Sequence, residues 1–244
     1  TVEDWKAAID ATVIKQGVFN FVFHPHGWVS NEQMIDWIDH ITKIHGKKVK
    51  FLNFKEARER LTKNLLGGQP LKDINGQDNG VRLLDLDNDG FMDVVIGNEH
   101  IQQTRLWNPK TKKWEISHFP FRIVQKDSKG NSEETGAKFG ILQPNGYASV
   151  FISNKSIKGI WDFNGNTWTQ NNTNIKGLEL NKQMIQTSVN GQDNGIRLRD
   201  TNNDGICEII ISNFKDQGVF SWNKTKKKWI KLKFNLPKSV SITR

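Results

Sequence analysis

Asp85, Asp87, Asp89 and Asp93 occupy positions 1, 3, 5 and 9 of a short acidic loop, with Gly90 at position 6. At this spacing carboxylates converge on one hard cation, and the Phe91 carbonyl supplies an oxygen from position 7. An EF-hand would need a bidentate Glu at position 12, which is Ile96 here, inside the strand-like run "DVVIGN". The chemistry predicted is therefore Ca2+ coordination between β-strands. A second set lies 115 residues on: Asp200, Asn202, Asp204 and Glu208, with Ile206 at the carbonyl position. It has one formal charge fewer, which predicts weaker binding. Asp and Asn also fill turns by bonding their own backbone, but four acids repel one another in an empty loop.

A different chemistry is offered by "FVFHPHGW" at 21–28. His24 could move a proton, and Trp28 could give a sugar-stacking face beside His26. The alternatives are a rigid loop whose turn is set by Pro25 and Gly27, or a His24/His26 metal pair. His40 and His45 are read as lying on the exposed or boundary side of their helix, with no role. The single cysteine, Cys207, excludes an internal disulfide framework and a cysteine-based zinc cluster.

The acidic loops sit in a repeat. "NGQDNGVRLLDLDNDGFMDVVIGN" (75–98) nearly coincides with "NGQDNGIRLRDTNNDGICEIIISN" (190–213), and "KFGILQPNGYASVFISN" (138–154) is a third copy between them. The offsets are 56 and 59 residues. In the middle copy Ile141, Gln143, Asn145 and Ser149 stand where oxygen ligands are needed, so a plain turn around "PNG" is expected without calcium. A Trp pair seven residues apart follows each copy: Trp107 and Trp114, Trp161 and Trp168, Trp222 and Trp229. The turn formers "NPKTKK", "DFNGNT" and "NKTKKK" between the pair members predict hairpins. Strand repeats of this length suggest propeller blades that bury their faces against their neighbours.

The motif "DLDNDGFMDVVIGN" resembles the FG-GAP (VCBS-type) repeat of integrin-like β-propellers. That resemblance implies blades at about 69–127, 128–185 and 186–244, with structural Ca2+ in the first and third. Three blades are too few for a closed ring, and the terminal "SVSITR" could open another.

Before the repeats the periodicity turns helical. "VEDWKAAIDATVIKQG" predicts a helix capped by Gly17, and "VFNFVF" (18–23) a strand. "SNEQMIDWIDHITKIHG" opens on a Ser30–Gln33 capping box and carries a stripe of Met34, Ile35, Trp37, Ile38, Ile41 and Ile44. "KVKFL" (48–52) predicts a second strand, and "FKEARERLTKNLL" a helix ending at Gly67-Gly68. This is the order of a parallel α/β fold, read as the last third of a (β/α) barrel, whose loops after the strands carry chemistry.

Residues 1–68 resemble the C-terminal part of polysaccharide deacetylases, through the apolar-x-apolar-His run Phe21, Val22, Phe23, His24 and the pair "GKKVKFLNFKEARERL". The resemblance implies that His24 is a general acid toward the leaving amine, with His26 and Trp28 against substrate. It implies Zn2+ or a similar ion in the parent site. The Asp and His-x-x-x-His that would hold that ion belong to earlier strands and are not among these residues.

The chain of 244 residues is 36% hydrophobic and carries a formal charge of +9. No apolar run approaches a membrane helix, and no signal peptide is visible. The lysines gather at hairpin tips, which predicts a solvated surface or contact with an anionic polymer. The tryptophans follow the repeat and do not interleave with the basic residues, which argues against a nucleic-acid groove. Beginning at Thr1, the sequence reads as an excised piece of a larger protein. The combined expectation is a fragment of an exported carbohydrate deacetylase-like hydrolase with a calcium-braced propeller module. It would be secreted, periplasmic or at the cell surface, facing an extracellular glycan or, through the blades, a protein partner. The rival is a calcium-binding adhesion or binding protein without catalysis.

Overall fold

A computed structural model describes residues 1–24, 26–171 and 175–233; the terminal "SVSITR" and Pro25 lie outside the described residues. The chain divides into two compact units, Thr1–Leu61 and Thr62–Arg244.

The first unit is helical. Helix α1 (Val2–Ile14) begins at a Thr1–Asp4 capping box and α2 (Asn31–His40) at the expected Ser30–Gln33 box. Helix α3 (Phe54–Arg60) begins at a third box, Asn53–Glu56. Each box satisfies backbone N–H groups that the first turn leaves without partners. Helix α1 does not end on Gly17: Gln16 takes the left-handed conformation, φ 53°, and the Gly17 N–H donates to the Thr12 carbonyl. Helices α2 and α3 both pass into π-turns, Ile41–His45 and Leu61–Leu65.

The two expected strands are absent. Neither 18–23 nor 48–52 joins a sheet among the described residues. A single pair of strands is marginal without further partners, and Phe19, Phe21 and Val49 instead pack on the helices around Ile9, Trp37 and Ile41. Of the predicted apolar stripe on the second helix, Trp37 and Ile41 are buried and Met34 packs against them. Ile35, Ile38 and Ile44 are exposed and lie outside that cluster.

The second unit is built from antiparallel sheets. Strands β1 (Val81–Leu84), β2 (Asp93–Gly97), β3 (Gln102–Asn108) and β4 (Lys113–His118) form a four-stranded meander. A small hairpin follows, β5 (Val124–Lys126) with β6 (Ser132–Glu134). The second meander is β7 (Lys138–Ile141), β8 (Ala148–Ser153), β9 (Lys158–Phe163) and β10 (Trp168–Gln170). Two two-stranded hairpins come next, β11 (Glu179–Leu180) with β12 (Gln183–Met184) and β13 (Ser188–Val189) with β14 (Gln192–Asp193). The third meander is β15 (Ile196–Arg199), β16 (Glu208–Ser212), β17 (Gln217–Asn223) and β18 (Lys228–Lys231).

The second strand of each meander is the most apolar and the most buried. Val95, Val150 and Ile152 share one core with Leu86, Phe119 and Phe163, so the first and second meanders pack together. Phe151, Ile160, Ile196, Ile209 and Phe220 share another, which joins the second to the third. An added Cβ at Gly140 would meet Leu198 at 2.8 Å, so the second and third meanders approach closely at this glycine.

One tie recurs in all three copies. The amides of Asn98, Asn154 and Asn213 accept two backbone N–H groups from the turn that follows. Each then donates to a carbonyl 19 residues upstream, in Asn79, Thr135 and Asn194 respectively. Each amide therefore fixes its own hairpin turn and the entry to its meander together.

The predicted Trp pairs are direct cross-strand partners in two copies, Trp107 with Trp114 and Trp222 with Trp229, with ring centroids 5.0 and 5.6 Å apart. In the middle copy Trp168 faces Phe163 and Trp161 faces Gln170. The "DFNGNT" turn places its left-handed residue at Gly165, one position earlier between the Trp residues than Lys112 and Lys227 in the other hairpins. That moves the register, and the two rings pack separately against Phe119 and Phe121.

Candidate functional site

The loop between β1 and β2 turns on Asn88 (φ 61°) and Gly90 (φ 84°), and the loop between β15 and β16 on Asn203 (φ 60°) and Gly205 (φ 83°). Asn tolerates the left-handed region and Gly has no Cβ to oppose it. In both loops the first Asp is the hub. Asp85 accepts the N–H groups of Asp89 (3.2 Å) and Gly90 (2.9 Å), while Asp200 accepts those of Asp204 (3.2 Å) and Gly205 (2.8 Å). The acid at position 5 then accepts the N–H two residues on, Asp89 from Phe91 and Asp204 from Ile206.

In the middle copy the equivalent of Asn88 is Pro144, whose ring holds φ near −65°. The turn there must form differently. Gln143 donates to the carbonyls of Ala148 and Phe163, and Ser149 donates to Asp162 at 2.6 Å.

With the two loop backbones alike, the differences concentrate at two positions. In the first loop, carboxylate oxygens of Asp85, Asp87 and Asp89 lie within 4.8 Å of one another. Asp87 Oδ1 is buried and has no hydrogen-bond partner. Burial, followed by the neighbouring Asp89 charge, raises the Asp87 pKa. Asp93 is wholly buried, and its two oxygens accept the N–H groups of Leu86 (2.9 Å) and Trp107 (2.7 Å). Burial outweighs those hydrogen bonds and pushes its pKa up to about 7, with Asp87 and Asp89 adding repulsion. The structure thus gathers the residues at positions 1, 3 and 5. Position 9 is a buried strut whose oxygens each keep a second lone pair.

In the third loop, Asn202 replaces Asp87 and its amide donates to Glu208 Oε1 at 3.1 Å. The same carboxylate accepts from the Thr201 backbone (2.8 Å), the Thr201 hydroxyl (2.6 Å) and Ser221 (3.1 Å). Glu208 is buried and fully engaged by neutral donors. Asp200 and Asp204 keep their turn contacts, and Ile206 is buried beside them.

In the first unit, the strand expected to end at His24 does not form. His24, His26 and Trp28 are nevertheless drawn together: the His24 ring lies 5.8 Å from that of His26 and meets Trp28 edge-on at 4.7 Å. Trp28 is 71% exposed, and both histidines are exposed.

His40 and His45 sit at the boundary, one of the two placements expected of them, at 20% and 11% exposed, and both lie against Asp10, a contact their spacing does not signal. Five residues on an α-helix separate two side chains by more than a third of a turn, so the pattern does not signal a pair. The π-turn brings them together.

Among the described residues, no helix is long and apolar enough to cross a membrane. Comparison with models of protein families, with curated proteins and with solved structures finds no match to this chain.

Proposed function

We propose that the repeats from about residue 69 onward form three β-propeller blades of FG-GAP type. In this reading they are an exported binding and presentation module, braced by one tightly held Ca2+ at Asp85, Asp87 and Asp89. The observation that carries it is the orphaned Asp87 Oδ1, buried within a cluster of three carboxylates. A buried acceptor without a partner costs about 1–3 kcal/mol. A hard cation with oxygen ligands removes that cost, and the site contains no nitrogen or sulfur that would favour a softer ion. Asp93 supports the loop from behind. The third loop, closed on its own Asn202 amide, binds Ca2+ weakly. Such sites fill where calcium approaches millimolar, which suits a location outside the cytosol.

Titration of the full chain with Ca2+ tests the reading. We expect one tight site by calorimetry. At about 100-fold excess over Kd, Ca2+ stabilises by roughly 2.7 kcal/mol, or on the order of 5–10 °C in melting temperature for a unit of this size. No binding heat and an unchanged melting temperature would refute it.

A second reading, a remnant of a polysaccharide deacetylase acting on a cell-surface or extracellular glycan, is favoured by the exposed cluster of His24, His26 and Trp28. In it Trp28 stacks on a sugar ring and His24 serves as proton donor. The chain's six histidines contain no His-x-x-x-His pair, so the residues present do not fit the zinc triad that this resemblance implies, and no hydrolytic step is assigned. Glycan binding is the part open to test: Trp28→Ala should abolish retention on a glycan array, and unchanged retention would remove this surface from the reading.

A further inference from the structure

The first unit contains a constellation that neither reading uses. Asp10 projects from the middle of α1. His40 closes α2, and His45 ends the π-turn that follows it. The Gly46 N–H donates to the Ile41 carbonyl five residues back, in place of the four of an α-helix. This widened turn compensates for the five-residue spacing, so both imidazoles face α1. Their Nε2 atoms reach the same oxygen, Asp10 Oδ1, at 2.8 and 2.6 Å. The rings are 5.9 Å apart and inclined at 79°, so they approach that point from different directions.

We propose that Asp10, His40 and His45 form a binding site for a borderline divalent transition ion of the Zn2+ class, which staples α1 to the end of α2. One candidate ligand atom from each residue lies within 4.8 Å of the others. Tetrahedral coordination at about 2.0–2.1 Å places ligand atoms roughly 3.3 Å apart. The present contacts therefore need to open by only about 0.5–0.7 Å, which small side-chain rotations supply. Two imidazoles and one carboxylate are the donor set of such ions and a poor one for Ca2+. The histidines are largely shielded, whereas Asp10 is 40% exposed, so solvent can reach the fourth position. Unlike the deacetylase triad, this site has its histidines five residues apart on a distorted helix. It is also independent of the acidic loops, which offer oxygen alone.

The test is a Zn2+ titration of the full chain by calorimetry with Ca2+ present in excess, repeated with Co2+ and read by visible absorption. We expect one Zn2+ per chain, a higher melting temperature, and the intense ligand-field bands of low-coordinate, nitrogen-ligated Co2+. Asp10→Ala, His40→Ala and His45→Ala should each weaken binding by more than about tenfold, since loss of even a supporting residue costs that much. The double variant His24→Ala/His26→Ala should bind as the parent does. Binding that survives loss of Asp10 and both helix histidines, or that follows His24 and His26, overturns the proposal. Should the single variants fail to fold in chelator, the Co2+ spectrum of the unaltered chain decides: absence of those bands also overturns it.

Discussion

The loops at 85–93 and 200–208 share a backbone and differ in how they neutralise it. Both turn on Asn and Gly in the left-handed region, and both fold around a first Asp that accepts two backbone N–H groups. In the first, Asp87 adds a third carboxylate and leaves an oxygen buried without a donor. In the third, the Asn202 amide supplies the missing donor internally by bonding Glu208. The middle copy has abandoned the geometry, with Pro144 where Asn88 stands and Gln143 bonded to two carbonyls. In the proposed reading, the side chain at the third position, Asp87 or Asn202, is the main difference between a loop that takes a cation and one that closes on itself. The two loops differ less in ligand count than in whether each buried oxygen already has a donor.

The largest expected effect falls on the first loop's buried strut, Asp93, whose place Glu208 takes in the third. Asp93→Ala strands the N–H groups of Leu86 and Trp107 and should cost about 2–4 kcal/mol. That is a fall in melting temperature on the order of 10 °C, with or without Ca2+. A loss confined to Ca2+-containing buffer would show that Asp93 acts only as a ligand. Next, Asp87→Asn gives the first loop the chemistry of the third. It should eliminate the calcium-dependent gain in melting temperature while raising the calcium-free stability by about 1 kcal/mol, the worth of one hydrogen bond. Retained tight calcium binding would break the comparison.

The reverse exchange, Asn202→Asp, removes the donor to Glu208. It should lower calcium-free stability by about 1 kcal/mol and add a second calorimetric Ca2+ site. A variant of unchanged stoichiometry would mean that Glu208, held by Thr201 and Ser221, is too tightly engaged to admit an ion.

The smallest effect concerns the "NGQDNG" turns that precede the first and third meanders. Asp78 pairs with Arg82 at 2.8 Å, while Asp193 pairs with both Arg197 (2.7 Å) and Lys138 (2.9 Å). Burial alone would raise both carboxyls, but these cations more than offset it and hold both below the usual range. A carboxyl with a depressed folded-state pKa contributes stability above its unfolded value of about 4, and that stability is lost as pH falls through the lower folded value. Lys138→Met should therefore reduce stability at neutral pH by less than about 1 kcal/mol and flatten the acid limb of the melting profile. Parallel acid limbs for variant and parent would show that Lys138 contributes nothing to Asp193.

Much of the second unit was legible because its strands alternate around repeated turn residues. The Asn and Gly positions and the hairpin formers follow from local chemistry, whereas the count of four strands per meander comes from the structure. The hairpin between the middle Trp residues is present as expected, while its register, which no spacing stated, depends on where the left-handed residue falls in its turn. Gly165 in "DFNGNT" carried that signal, as Pro144 carried the signal of a different loop. In the first unit the strands at 18–23 and 48–52 were read from apolar composition, but a strand also needs partners, and Phe19, Phe21 and Val49 went to the helices. The convergence of His40 and His45 on Asp10 was not readable, since the widening of the last turn of α2 is a tertiary outcome that no capping or breaking residue announces.

The recurring asparagine tie also says where this chain tolerates spliced-in sequence. From each acceptor to its Asn the count is invariant, whereas the 37 residues from Asn98 to Thr135 become 40 from Asn154 to Asn194. Length has drifted only outside the tied window. A tag or foreign loop introduced at 109–112 or 224–227 should leave the sheets intact, while a single residue added between 79 and 98 pulls the amide off its carbonyl and unlatches that repeat.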